Sequence, residues 1–232
     1  MDAEELIKQS QWWREAQEMP DRHYEESAGV SLADHLESVH TNLRLLLSPD
    51  GLDGYFVELR QALASAGLHL RETEKLLGLV ALLHDIGKTR DDKGAEGEHP
   101  ITGKTVKLRH PVVSLMAALE ILPETQEGRR TVLALVEEHD TPYSWYMQFQ
   151  RSGQVPKRKS WARLDRKIEP REDGTGLVLL AVFKLADIDG HESVDDVSWF
   201  IEQAYANYLR EKGRWVPVPS QDTIQRLAQG AS

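Results

Sequence analysis

His84 and Asp85 stand side by side where an apolar run, Leu76-Leu77-Gly78-Leu79-Val80-Ala81-Leu82-Leu83, gives way to Ile86-Gly87-Lys88 and polar sequence. Neutral imidazole and carboxylate are both metal ligands, and adjacent residues reach one ion when the backbone turns them into a shared cavity. The same two residues also suit a helix end that carries a polar cap and a His set against the helix dipole. Partners elsewhere in the chain must decide between these readings. Of nine histidines, His35, His84, His110 and His139 fall at or beside apolar helical stretches, and Asp187 ends a second apolar run that begins at Gly176. Helices that share a core gather such positions into one cavity. The chain has no cysteine, which excludes disulfides, thiolate-bound zinc and a Cys nucleophile, so any metal must sit on His, Asp and Glu.

The elements that would carry these residues read as helices. Leu6, Ile7, Trp12, Trp13 and Ala16 approach helical spacing over Asp2 to Glu18, with the tryptophans as packing anchors, and Met19-Pro20 stops the run. Ser31 suits an N-cap with Asp34 completing a capping box, after which Leu32, Leu36, Val39, Leu43 and Leu46 repeat at helical period beside His35. His40, five residues on, turns away from His35. Pro49-Asp50-Gly51 reads as a turn, Gly54 to Ala66 as a helix ended by Gly67, and Glu72 to Leu83 as a buried central helix. Thr89 to Leu108 reads as a long polar loop in which His99 is solvated. Helices follow from His110-Pro111 to Pro123, from Thr125 to His139, over Gly176 to Ala186, from Val194 to Leu209 and from Thr223 to Ala228; Thr141-Pro142 breaks the second of these. His23, His69 and His191 have no evident role. With no repeat and no low-complexity linker, a single all-α domain over residues 1–232, its core at about 31–210, accounts for the chain.

Composition narrows the partners. Apolar residues at 40% and charged residues at 28% are ordinary for a globular protein. No window approaches the roughly 18 apolar residues of a membrane span. The acidic start, Met1-Asp2-Ala3-Glu4-Glu5, lacks the apolar core of a secretory signal, so a cytoplasmic location is expected. A net charge of -10 disfavours wrapping a long duplex. Arg151 to Arg171 reverses that balance, with eight basic residues against Asp165 and Glu169.

The order His35, His84-Asp85, His110, His139, Asp187 resembles the metal-binding signature of the HD-domain phosphohydrolase superfamily, and Leu83-His84-Asp85-Ile86-Gly87-Lys88 is similar to its core motif. The resemblance runs from about Leu32 to Gly190. It implies a helical bundle around one or two divalent ions. His35, His84, Asp85 and Asp187 would hold the first ion, and His110 and His139, with Asp85 bridging, the second. Such ligands suit Mn, Fe, Co, Ni or Zn, with Mg also possible, better than Ca. The implied chemistry is attack of a metal-activated water on phosphorus. Asp85 and Lys88 are the expected catalytic residues. Lys88 follows Asp85 by three positions and on a continuing helix would share its face, to contact a substrate phosphate. Asp140 would orient His139 or a water; some relatives carry a second His there, which argues against a cyclic-dinucleotide substrate.

The segment Lys159-Ser160-Trp161-Ala162-Arg163-Leu164 is similar to HD domains that work on RNA ends. Lys157 to Lys159, Arg163 and Arg166 could bind phosphates, while Trp161, Trp145 or Tyr143 stacks a base. The opposing reading is a solvated basic loop that balances an acidic surface. The expected substrate is a nucleotide or a nucleic-acid end carrying a terminal or 2',3'-cyclic phosphate. The alternatives are an HD nuclease of the CRISPR type acting on single strands and a metal-stabilised regulatory module without catalysis. Neither oligomeric state nor metal identity follows from the sequence.

Overall fold

The computed structural model describes residues 2–21, 29–48, 54–90, 95–188 and 195–229. The turn expected at Pro49-Asp50-Gly51, the run Asp189-Gly190, His23 and His191 lie outside them. The chain forms two compact units, Met1–Ser38 with Leu79–Glu138, and Val39–Gly78 with His139–Ser232. Among the described residues the fold is all-α apart from one small hairpin and an isolated bridge. Among the described residues, no helix is long and apolar enough to cross a membrane.

The first unit opens with helices α1 (Ala3–Gln9) and α2 (Gln11–Glu18). One helix is expected here, but Ser10 breaks it. Its backbone is extended, and its hydroxyl accepts from the Trp13 N–H at 3.1 Å, so it ends one helix and caps the next. Ile7, Trp12, Trp13 and Ala16 are buried, and the Trp12 indole N–H donates to Glu120 at 3.0 Å. A two-residue antiparallel bridge joins Pro20 to Ser31 and leads into α3 (Leu32–Leu47). The capping box is present as expected: Asp34 N–H donates to Ser31 Oγ at 3.2 Å, and Ser31 N–H to Asp34 Oδ2 at 2.9 Å.

Helix α5 (Leu70–Leu83) carries the buried run toward His84, and both unit boundaries in this region fall inside helices, at Ser38 in α3 and at Gly78 in α5. After Asp85 the chain tightens into a 3-10 turn, Ile86–Arg90, which packs on α6 (His110–Ile121). The reason is steric. Gly87 lies so close to α6 that a Cβ there would overlap the Ser114 amide nitrogen, sit 2.6 Å from the His110 carbonyl oxygen and 2.8 Å from Ser114 Oγ. The Gly87 N–H donates to that hydroxyl at 2.9 Å. Arg90, at the end of the turn, donates twice to Glu15 of α2 (2.7 and 2.8 Å) and stacks over the Trp12 ring, 3.6 Å from its centre. This guanidinium holds the Glu15 carboxyl below the usual carboxylate range.

The expected long loop is not structureless. It contains an antiparallel hairpin, β1 (Glu96–Glu98) with β2 (Thr105–Lys107). His99 ties it down and is buried, contrary to the solvated role expected. The Ile101 and Thr102 N–H groups donate to its Nδ1, and its Nε2 lies 3.0 Å from Glu137 Oε1 of α7 (Arg129–Glu138). Since Nδ1 accepts, Nε2 carries the proton in the neutral ring.

The second unit holds α4 (Gly54–Ser65), α8 (Thr141–Ser152), α9 (Arg158–Ile168), α10 (Thr175–Ala186), α11 (Asp195–Asn207), a 3-10 turn (Leu209–Lys212) and α12 (Gln221–Gln229). Thr141-Pro142 starts α8 instead of only ending what precedes it, because proline is tolerated in a first helical turn. Helix α10 is buried along its whole length and has no cap of its own, since Gly174 sits in the left-handed region at φ 93°. Asp165, from α9, takes over. Its carboxylate accepts from the N–H groups of Gly174 (2.9 Å), Gly176 (2.9 Å) and Leu177 (3.3 Å) and from the Tyr208 hydroxyl (3.2 Å). Burial pushes this carboxyl above its ordinary value, against the pull of those donors.

Two outcomes follow for stability. Gly87→Ala should lower the unfolding free energy by about 1–3 kcal/mol, measured by urea denaturation, because two backbone groups must move to admit the methyl. Asp165→Asn should cost about 1–3 kcal/mol at neutral pH, because the amide keeps one acceptor oxygen but sets an NH2 group against donors that the second carboxylate oxygen had served. Because the native carboxyl titrates above its unfolded value, its own contribution is present at low pH and lost as pH rises through the native value.

Candidate metal centre

Four sequence-predicted ligands converge within the first unit. The first turn of α3 supplies His35, the end of α5 supplies His84 and Asp85, and the first residue of α6 supplies His110. His35, His84 and Asp85 are buried, at 3%, 0% and 5% exposure. One ligand atom from each of these three lies within 4.8 Å of the others. The His35 and His84 rings are 5.4 Å apart between centres and tilted by 57°.

Asp85 faces partners with both oxygens. Its Oδ2 is 3.5 Å from His84 Nε2 and 3.7 Å from His35 Nε2, while Oδ1 is 3.3 Å from His110 Nε2. The Lys88 ammonium reaches Oδ2 at 2.6 Å. Lys88 arrives there through the 3-10 turn, not along a continuing α-helix, because its N–H bonds to the Asp85 carbonyl at 2.8 Å. It is thus a neighbour of the expected metal ligand as well as a candidate for substrate phosphate.

Hydrogen bonding fixes the proton on His84. Its Nδ1 lies 3.0 Å from the Ala81 carbonyl oxygen, which can only accept, so Nδ1 donates and the neutral ring presents a lone pair at Nε2. That lone pair faces a carboxylate oxygen. Two electron-rich groups held this close in a buried pocket call for a cation among them, and Lys88 supplies one positive charge. Imidazole, imidazole and carboxylate are a donor set for a divalent transition ion. The residues present fit such an ion.

The other predicted residues lie in the second unit. His139 is buried, directly after the last residue of α7, and packs edge-on to Phe183 with ring centres 6.5 Å apart. Asp187 ends α10 and accepts from Lys184 at 2.6 Å. Burial alone would lower the Lys184 pKa, but Asp187, with Asp196 and Asp140, raises it above the usual lysine value. Lys184 is the single charged residue in the otherwise apolar run from Leu177 to Ala186, and that interruption is the sequence signal of the ion pair. Arg163 is exposed, and Arg166 is exposed and paired with Glu172 at 2.9 Å.

Trp161 requires a correction. It is fully buried, donates its indole N–H to the Pro156 carbonyl at 3.0 Å and meets Trp145 edge-on at 4.7 Å. It packs the core of its unit and has no face to offer a base. Among the aromatic residues considered for stacking, Tyr143 is the exposed one, at 47%. His40 packs against Gly78, where a Cβ would lie 3.1 Å from its Nε2. One residue beside the centre was missed entirely. Asp21, buried and 3.6 Å from His35 Nδ1, follows a helix stop and belongs to no periodic stripe.

A family model described as the HD domain matches residues 57–187, more than half of the chain. The matched span includes His84, Asp85, His110, His139 and Asp187 and begins after His35. Among curated proteins and solved structures, none matches the chain. HD domains bind divalent metals and are mostly metal-dependent hydrolases, a general character that the buried His and Asp cluster fits. Fold, ligand cluster and family model agree that this chain belongs to the HD domain family.

Proposed function

We propose that the chain is a divalent-metal-dependent phosphohydrolase that cleaves a phosphoester of a nucleotide or of a nucleic-acid end, 2',3'-cyclic phosphates included. The observation that carries this reading is the shared Asp85 carboxylate, with His35 and His84 at one oxygen and His110 at the other. In this reading His35, His84, Asp85 and His110 hold metal. A bound divalent ion lowers the pKa of its water and offsets charge on the phosphoryl oxygens. Asp85 orients what lies between its partners, and Lys88 exchanges part of its ion pair for a substrate phosphoryl oxygen, which places its positive charge where negative charge accumulates. His84, with its proton fixed by the Ala81 carbonyl, keeps its lone pair inward without reorganisation.

The choice of substrate rests on α9 and its approach. Lys157, Arg158, Lys159 and Arg163 are exposed, in a chain of net charge -10. Arg158 is engaged with Glu211 at 2.5 Å and Arg166 with Glu172, so Lys157, Lys159 and Arg163 are the better candidates for phosphate contact. Tyr143 replaces Trp161 as the proposed stacking residue.

The test is a hydrolysis screen with Mn, Fe, Co, Ni, Zn and Mg against 2',3'-cyclic nucleotides, dNTPs, cyclic dinucleotides and RNA with phosphorylated ends. Metal-stimulated release of phosphate from cyclic or terminal phosphates is expected, and His84→Ala and Asp85→Ala should each lower the rate by at least about a hundredfold. Retention of both metal and activity in those variants would refute catalysis at this centre. Neutralising Lys157, Lys159 and Arg163 together should raise KM for an oligonucleotide about tenfold more than for a small chromogenic ester. Equal effects would remove the nucleic-acid preference, and cleavage of circular single-stranded DNA would replace this reading with a nuclease.

A further inference from the structure

We infer that Asp21 is the positioning residue of the metal centre: its buried carboxylate holds the proton of His35 on Nδ1, and so aims the Nε2 lone pair at the ion. This rests on the proposal that His35 is a metal ligand.

The His35 ring stands between two carboxylates. Nδ1 is 3.6 Å from Asp21 Oδ2 and Nε2 is 3.7 Å from Asp85 Oδ2. Asp85 belongs to the ligand cluster and Asp21 does not, since it stands on the opposite edge of the imidazole. A neutral imidazole carries one proton, and a carboxylate accepts but cannot donate. A proton on Nε2 would point into the ligand cluster and remove a donor atom from it. A proton on Nδ1 points to Asp21 and leaves Nε2 able to coordinate. Carboxylates behind ligating histidines fix the tautomer and raise ligand basicity in this way.

The backbone around Asp21 is built to hold it there. Its N–H donates to the Val30 carbonyl at 2.9 Å, and Leu32 N–H donates to the Met19 carbonyl at 2.8 Å. Those bonds flank the bridge between Pro20 and Ser31 and pin Asp21 against the first turn of α3. The side chain of Asp21 is fully buried and that of His35 nearly so. Burying a carboxylate is costly without a compensating partner, and a metal-bound imidazole provides a polarised N–H. His84 meets the same requirement by other means, with the Ala81 carbonyl at 3.0 Å. The two ligand rings thus face separate acceptors, His84 a local carbonyl within hydrogen-bond distance and His35 a carboxylate at 3.6 Å from 14 positions earlier in the chain.

The experiment uses the full-length chain stripped of metal and then titrated with Mn²⁺ by calorimetry, with nitrogen-15 NMR of the histidine rings in the stripped protein. In the wild type, His35 and His84 should both show the Nδ1–H form. Asp21→Ala should shift His35 toward the Nε2–H form, leave the His84 signal in place and weaken Mn²⁺ binding about 10- to 100-fold. Asp21→Asn, which keeps an acceptor oxygen but no charge, should lose several-fold in affinity and serves as the probe if the alanine variant fails to fold by circular dichroism. A folded Asp21 variant with wild-type Mn²⁺ affinity and an unchanged His35 tautomer overturns the inference. His84→Ala separates the two proposals: if it also binds Mn²⁺ normally, the metal centre itself is misplaced, whereas loss in His84→Ala alone removes only the role of Asp21.

Discussion

The closeness of Gly87 to α6 governs how the centre is assembled. Without a side chain, the turn after Asp85 settles onto the Ser114 hydroxyl and the His110 carbonyl, and this contact fixes where α5 ends relative to where α6 begins. Asp85 is therefore delivered with one oxygen toward His110 and the other toward the His35 and His84 rings. No property of Asp85 alone would achieve this. Any larger residue at 87 would force the two helices apart and separate the carboxylate from one set of partners.

Around that contact the first unit distributes its polar groups by a simple rule: each buried ring has a single lone pair, and hydrogen bonding decides where it points. The Ala81 carbonyl turns the His84 lone pair inward. At His99 the outcome is the reverse, because two hairpin amides take the Nδ1 lone pair and Glu137 takes the opposite nitrogen. His99 is thereby committed to holding the hairpin, although it is as buried as a ligand would be. Burial of a histidine says little about its role until the acceptors and donors around both nitrogens are known.

Much of the helical plan was legible in the sequence because it depends on local rules. The Ser31 and Asp34 capping box, the apolar run into His84-Asp85, and the start of α6 at His110-Pro111 follow from residue type and spacing. What escaped depends on contacts between distant segments. Ser10 breaks an otherwise continuous periodicity by capping, and the hairpin at 96–107 has too few apolar residues to show alternation. Asp165 lies in a stretch that reads as basic, yet it closes the end of a buried helix nine residues away. Trp161 sits among the cations that suggested a nucleic-acid surface, but the helix turns those cations outward and the indole inward. In the candidate site the ligand types were readable, whereas Asp21 has no local signature and becomes visible only beside His35.

The α2 helix gives this family member a boundary that its matched segment does not have. Arg90, two residues after Lys88, is gripped by Glu15 and the Trp12 ring, and Trp12 is in turn tied to Glu120 of α6. The span recognised as the HD domain begins at residue 57, so these anchors, like His35, come from outside it. The span matched by the family model and the segment that supplies His35, Trp12 and Glu15 are thus different lengths of chain. Substitutions at Trp12 or Glu15, far from the motif in sequence, therefore bear on the turn that carries it.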